Sequence, residues 1–282
     1  FIDKGPVVQV KYANAQPTVL QDKDSSVQWD GPLVVMVNGY SASASEIFAA
    51  AIQDYKRGVV IGSKHTYGKG TVQNVIDLND MVRGNSLGDL GSLKTTIQKF
   101  YRINGGSTQR EGVLSDIVLP DRFTYFDTGE RDEPEALPWD KIAQVTYNTT
   151  GANYDVVIAN SNMRVEKNPQ FNLIDAYAKW NFERKDVKEV SLNYTKYKKE
   201  LAALETTNKT YDGLKEYKNN LTFNSLPYEI NQFKNDTVLK EKRERWHEDL
   251  GKDPYVDESL NVIEDIGRLV KSSNYVSMNK AK

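Results

Sequence analysis

The chain has 282 residues, of which 39% are hydrophobic and 10% aromatic, enough to bury the core of one large domain or two. Its 37 basic and 39 acidic side chains leave a formal charge of −2, which argues against a binder of nucleic acid or another polyanion. The absence of cysteine, with only His65 and His247 as histidines, excludes disulfides, thiolate metal sites, cysteine nucleophiles and a multi-histidine metal centre.

No apolar run approaches the ~18 residues that span a bilayer. The opening Phe1-Ile2-Asp3, without an initiator methionine or an apolar leader, is expected of a trimmed product of a longer precursor. Val7–Lys11 and Leu33–Val37 read as short strands, the second an unbroken apolar run suited to a buried sheet. A helix is predicted from about Ser43–Ser45 to Tyr55. Its signals are the serine-rich cap, Glu46 in the first turn, a stripe of Ile47, Phe48, Ala51 and Ile52, and Gly58 beyond the end. Val59–Gly62 is a further buried strand. After a loop come strands at Thr71–Leu78 and Leu93–Ile103, the latter closing on the turn Asn104-Gly105-Gly106. Strand–helix–strand succession indicates an α/β fold with a covered sheet.

Pro134 to Pro138 marks a loop, and Ile142–Ile158 alternates weakly, as short strands would. The composition then shifts: 37 of the first 170 residues are charged, against 39 of the last 112. Tyr197, Leu201, Leu204, Tyr211, Leu214 and Leu221 follow three- and four-residue steps, predicting a helix that packs through this stripe. Leu226-Pro227 breaks the run, and further helices are predicted over about Asn231–Leu250 and Ser259–Lys271. The expected domains are therefore 1–127, an α/β core; 128–170, a connecting segment with weak strands; and 171–282, a helical domain.

Three serines crowd the turn Ser41-Ala42-Ser43-Ala44-Ser45 between a buried strand and a helix. A hydroxyl placed there sits beside helix N-terminal N–H groups that can stabilise an oxyanion. Serine is also a preferred N-cap, so the turn alone is explained by capping. A nucleophilic serine needs a base. One arrangement is a Ser43–His65–Asp54 triad. Another uses Lys69, in the run Gly68-Lys69-Gly70-Thr71-Val72-Gln73, whose glycines let the backbone bring the lysine close to another main chain. Such a lysine acts as a base only if its environment depresses its pKa from ~10.4. The same glycines echo a phosphate loop, but the spacing departs from that motif.

Asn38-Gly39-Tyr40-Ser41-Ala42-Ser43-Ala44-Ser45-Glu46-Ile47-Phe48, the Gly68–Gln73 run, and Gln98-Lys99-Phe100-Tyr101-Arg102-Ile103-Asn104-Gly105-Gly106 with Ser107–Val113 closely resemble the C-terminal-processing peptidases, in their tail-specific protease branch. The resemblance covers roughly Phe1–Pro120, and the helical remainder is similar to that branch's C-terminal extension. It implies a serine endopeptidase with a Ser–Lys dyad on a crotonase-like α/β fold. By motif, Ser43 is the nucleophile, Lys69 the general base, Gln73 the residue that positions the lysine, and the Ala44 N–H an oxyanion donor. Asp54 matches an aspartate linked with activity. Eleven residues along a helix is ~16 Å, too far to touch Ser43, so a role supporting the fold or the lysine loop is expected.

The loop Gly62–Gly68 is one residue longer than the family pattern and lacks its proline, and Ser115 stands where the family usually has proline. The family's Gly-rich strand–turn with a second oxyanion donor, its PDZ domain and its N-terminal helical region find no counterpart among these residues. The resemblance further implies polypeptide substrates with apolar or unstructured C-termini, a lipoprotein adaptor as partner, no metal or cofactor, and a bacterial cell-envelope, periplasmic location. The alternative expectation is a catalytically incomplete fragment acting as an interaction or scaffold module.

Overall fold

The computed structural model describes residues 1–82, 84, 86 and 88–280, with 272–280 as backbone alone. Two compact units are present. One comprises Phe1–Ile117 with Asp127–Tyr154; the other comprises Val118–Phe126 with the chain from Asp155 onward.

In the first unit β1 (Gly5–Tyr12), β2 (Thr18–Asp22), β3 (Val34–Val37), α1 (Ala44–Asp54), β4 (Val59–Gly62), β5 (Thr71–Asp77), the short α2 (Leu78–Met81) and β6 (Ser92–Tyr101) follow in order, ending at β7 (Ile117–Val118). The first sheet runs β2-β1-β6-β5 and the second β3-β4-β7. β3 and β4 are parallel, Val34 opposite Val59 and Val37 opposite Gly62. They need a crossover, and α1 supplies it. The strands predicted up to Ile103 and the helix are found within two residues of their expected ends. β2, which is mostly exposed, carried no periodic signal.

β4 is buried along its whole length, which is why it reads as an unbroken apolar run. Of the stripe expected on α1 only Ile52 is buried, with Phe48 exposed; Ala49 and Ala50 bury the face instead and pack with Val60, Val37 and Val113. Fully burying each Val or Ile contributes about 1.5–3 kcal/mol. Ile61→Ala in this strand would cost about 2–5 kcal/mol. The helix ends at Tyr55, and the left-handed turn after it falls on Lys56 (φ 52°), not on Gly58 as the sequence suggests. Gly58 instead lies under Leu33, whose carbonyl oxygen would be 2.5 Å from an added Cβ.

The second unit is helical: α3 (Asp155–Lys167), α4 (Pro169–Glu183), α5 (Tyr194–Lys209), α6 (Pro227–Phe233), α7 (Thr237–Leu250) and α8 (Pro254–Lys280). Asn168, Asn193 and Asp236 cap α4, α5 and α7 through their side chains. Leu226-Pro227, expected as a break, is where α6 starts, with proline in the first turn where its missing N–H costs nothing.

Further expectations differ from what is observed, and the helix expected over about Asn231–Leu250 is divided into α6 and α7 at Lys234–Asp236. Ile142–Ile158 forms no strand. Its first part is extended and pinned singly to the α/β unit, Ile142 N–H to Gly105 O, Val145 N–H to Ile103 O and Thr150 N–H to Tyr55 O. Its end begins α3, where Val157 and Ser161 are buried at a four-residue step, so the helical period prevails over the weak alternation. The stripe expected to form and pack one helix is divided: α5 ends at Lys209 with no buried residue, Tyr197 and Leu201 being 43% and 38% exposed, while Tyr211 beyond its end packs on Tyr177 and Trp180 of α4. Burial in this unit centres instead on Val157, Phe171, Ile174, Ala178, Val262 and Ile266.

Candidate active site

β3 ends at Val37 and the chain turns back at Asn38–Ala42. Ser41 closes this turn, its N–H donating to Asn38 O at 2.9 Å and its Oγ accepting from Asn38 N–H at 3.1 Å. Ser43 is the N-cap of α1, yet its hydroxyl makes no cap hydrogen bond. Its backbone lies at φ 58°, ψ −114°, a left-handed region that costs a non-glycine residue about 1–3 kcal/mol. Strain of this kind at a sharp strand-to-helix turn is how nucleophile elbows expose a hydroxyl. The Ala44 N–H, at the first helical position, has no hydrogen-bond partner among the described residues and points from the positive end of the helix.

The lysine loop leaves the end of β4, beside the end of β3. Gly68 has φ +90°, and a Cβ there would sit 2.7 Å from Arg110 O; a Cβ on Gly70 would sit 2.6 Å from Gln109 N. Both positions therefore need glycine, and the main chain they approach is Gln109–Arg110. Arg110 N–H donates to Gly68 O at 2.7 Å, and Gly70 N–H donates to Gln109 Oε1 at 2.9 Å. Lys69 between them is partly buried. Only its backbone takes part, its N–H donating to Glu46 Oε2 and its carbonyl accepting from Thr108 Oγ1; among the described residues no hydrogen bond joins Lys69 Nζ to Ser43 Oγ, so the expected side-chain contact of the two is not formed.

What joins the serine turn to the lysine loop is Glu46. Its side chain is wholly buried, and its two oxygens accept four hydrogen bonds. Oε2 takes Ser43 N–H at 2.8 Å and Lys69 N–H at 3.0 Å; Oε1 takes Thr66 Oγ1–H at 2.6 Å and Gly68 N–H at 2.7 Å. The Ser43 and Lys69 nitrogens thus share one oxygen atom and lie no farther apart than the sum of those two bonds. Burial pushes the Glu46 carboxyl above its ordinary range, and the four donors pull it back. The sequence carried the signal, a glutamate three residues after an N-cap serine, which is a capping-box pattern. Read as a helix start, it did not reveal a clasp between two loops.

Asp54 sits at the other end of α1 from Ser43. Arg102 grips it with two bonds, Nη2 to Oδ1 at 2.6 Å and Nε to Oδ2 at 3.1 Å, and Asn104 Nδ2 adds a third at 2.9 Å. Burial raises this carboxyl and Arg102 opposes the rise. The contacts tie the helix end to the end of β6 rather than to the lysine loop. Gln73 donates to Thr71 Oγ1 at 2.8 Å and lies against Thr96 Oγ1. His65 rests against Arg131, with Nδ1 2.7 Å from Nη1, and makes no hydrogen bond to Ser43 or Asp54 among the described residues. The arrangement Ser43–His65–Asp54 is not assembled. A groove of about 910 Å³ in the helical unit, bordered by Met163, Arg164, Tyr217 and Asp257, holds none of these residues.

A strained serine at a helix N-terminus is thus clasped to a glycine-flanked lysine by a buried glutamate. Residues 1–119 match peptidase family S41, and residues 123–268 match the C-terminal domain of tail specific protease. The chain belongs to the S41 peptidase family, in its tail-specific protease branch. It is 48% identical over 206 residues to the tail-specific protease of Haemophilus influenzae, covering 71% of this chain and 29% of that protein. It is 35% identical to the carboxy-terminal-processing protease of Bartonella bacilliformis, covering 45% of this chain and 28% of that one. The solved photosystem II D1 C-terminal processing protease aligns at 31% identity over 42% of this chain and 28% of its own, with a TM-score of 0.36, too low to carry a fold assignment. The chain therefore spans less than a third of the length of these relatives.

Proposed function

We propose that this chain carries the nucleophile and general base of a bacterial cell-envelope serine endopeptidase that recognises polypeptides by apolar or unstructured C-terminal tails. The observation that carries the reading is the Glu46 clasp, in which one carboxylate oxygen binds the backbones of both Ser43 and Lys69. In the mechanism, Ser43 Oγ attacks the scissile carbonyl and Lys69 Nζ takes its proton. Gln73, whose amide nitrogen donates to Thr71 Oγ1, would have to turn its Oε1 toward the lysine to orient it. The Ala44 N–H receives the developing oxyanion at the helix N-terminus. Lys69 then returns the proton to the leaving amine, and water activated by the same lysine hydrolyses the acyl-enzyme. Asp54 acts at a distance, anchoring α1 to β6 through Arg102. The parallel pair β3–β4 crossed by α1 supports a crotonase-like core. A lipoprotein adaptor that delivers substrates belongs to the same reading.

The test is a timed digestion of an unfolded protein with an apolar C-terminus, read by mass spectrometry, with Ser43→Ala as control. Cleavage that disappears in the control supports the reading. No cleavage by the 282-residue chain, alongside cleavage by a longer form that includes it, favours the alternative of an incomplete fragment serving as an interaction module.

A further inference from the structure

The segment Thr128–Arg131 lies outside the part of the chain that matches the peptidase family, inside the part that matches the C-terminal domain, yet it folds against the lysine loop within the α/β unit. Its contacts with that loop are consecutive. Glu130 N–H donates to Tyr67 O at 3.0 Å. Arg131 Nη1 lies against the His65 ring and donates to Thr128 O at 2.8 Å, while Nη2 reaches Thr66 O at 3.3 Å and Glu111 O at 3.1 Å. Gln109, whose Oε1 holds Gly70 N–H, donates through Nε2 to Glu130 Oε1 at 3.1 Å. Gly129 has φ +105°, and a Cβ there would stand 2.2 Å from Tyr67 O, so the backbone passes as close as only glycine permits.

We propose that Thr128–Arg131 is a strap that positions Lys69, with Arg131 as its principal positioning residue; this rests on the proposed Ser43–Lys69 chemistry. From inside, Glu46 holds Thr66 Oγ1, Gly68 N–H and Lys69 N–H. From outside, the strap holds the carbonyls of Thr66 and Tyr67, which the carboxylate cannot bind. Donors on one side and acceptors on the other leave the peptide units before Lys69 little freedom to rotate. The strap also accounts for His65 in the lengthened loop: its ring packs on the Arg131 guanidinium rather than serving Ser43. A misplacement of 1 Å at a reacting group can cost roughly 100-fold in rate, so a hold on the lysine's backbone has a kinetic consequence.

The test uses the 282-residue chain and three variants, Arg131→Ala, Gly129→Ala and the exposed Glu135→Gln as control. Three quantities are read: the rate at which an alkyl fluorophosphonate labels Ser43, amide exchange at residues 66–70, and Tm. The strap predicts labelling slowed at least ten-fold in both Arg131→Ala and Gly129→Ala, with faster exchange at Gly68 and Lys69 and unchanged exchange in β4. Glu135→Gln should match the parent in all three. Should Arg131→Ala fail to fold, Gly129→Ala, which removes no side chain and disturbs the strap only at its approach to Tyr67 O, carries the test. Labelling within two-fold of the parent in a folded variant overturns the strap. A parent chain that labels no faster than Ser43→Ala is a different failure, visible before any strap variant is made: it overturns the nucleophile assignment and the strap's kinetic role with it.

Discussion

Glu46 and Glu258 are both buried carboxylates on helices, and they are satisfied in opposite ways. In the helical unit Glu258 is held by a cation: Arg164 meets it at 2.8 Å and also reaches Asp265 at 2.7 Å, with Ser161 Oγ–H adding a bond at 2.6 Å. These contacts fasten α3 to α8 and are those of a structural ion pair. In the α/β unit the four hydrogen bonds to Glu46 come from three backbone N–H groups and a hydroxyl. The Arg164 guanidinium draws together two carboxylates of one helix, whereas separate neutral donors from two loops let the single Glu46 carboxylate fix both loops at once. The second arrangement builds a site, the first docks a helix.

The comparison is broken most severely at the residues Glu46 organises. Ser43→Ala or Lys69→Ala should lower peptide cleavage by roughly 10⁴-fold or more with Tm nearly unchanged, because each removes a reacting group and leaves the clasp intact. Next in size is the matched pair Glu46→Gln and Glu258→Gln. In the first, an amide NH₂ must face N–H donors, and a loss of about 3 kcal/mol in chemical denaturation should accompany slower labelling of Ser43. In the second, a cost of about 1–3 kcal/mol is expected with labelling unchanged, since Arg164 is partly exposed and retains Asp265. Equal effects of the two substitutions on labelling would erase the distinction.

The pH dependence of stability sharpens it further. Burial raises the Glu46 carboxyl above 4.5, so the folded state holds that proton after the unfolded chain has released it. Its contribution is full below pH 4.5 and declines as pH rises through the elevated folded value, and Glu46→Gln should remove that part of the slope. His65 behaves oppositely. Burial and Arg131 hold it below 6.5, so stability is present above 6.5 and falls as pH drops through the folded value. His65→Gln should flatten the acid side of the curve. The smallest effect belongs to α5, where Leu201→Glu on the exposed stripe should shift stability by no more than about 0.5 kcal/mol.

Local signals foretold the α/β unit well because its elements are short and sharply bounded. Apolar β4 and the glycines around Lys69 each have one physical use and each serves it, whereas β3 is only partly buried and Ser43 starts the helix without a cap hydrogen bond from its hydroxyl. The helical unit was less legible. Alternating Val and Ile residues before Asp155 suggested strands, and the α5 stripe suggested packing, because periodicity shows which face is apolar and not whether anything covers it. Within the proposed site, Ser43, Ala44, Lys69 and Gln73 were singled out by the family resemblance of their motifs, while the residues alone left the serine turn open to simple capping. Glu46 stood in plain view as a first-turn acid, but its partners at Thr66, Gly68 and Lys69 are twenty and more residues away. Arg131 had no signal at all, being one arginine in a charged loop whose targets are main-chain carbonyls.

The central claim is that Ser43 is a nucleophile activated by Lys69. The most direct measurement is peptide mapping of the fluorophosphonate adduct on the parent chain, Lys69→Ala and His65→Ala. The account predicts one adduct, on Ser43, lost in Lys69→Ala and retained in His65→Ala. An adduct elsewhere, or one that survives in Lys69→Ala and vanishes in His65→Ala, would contradict it.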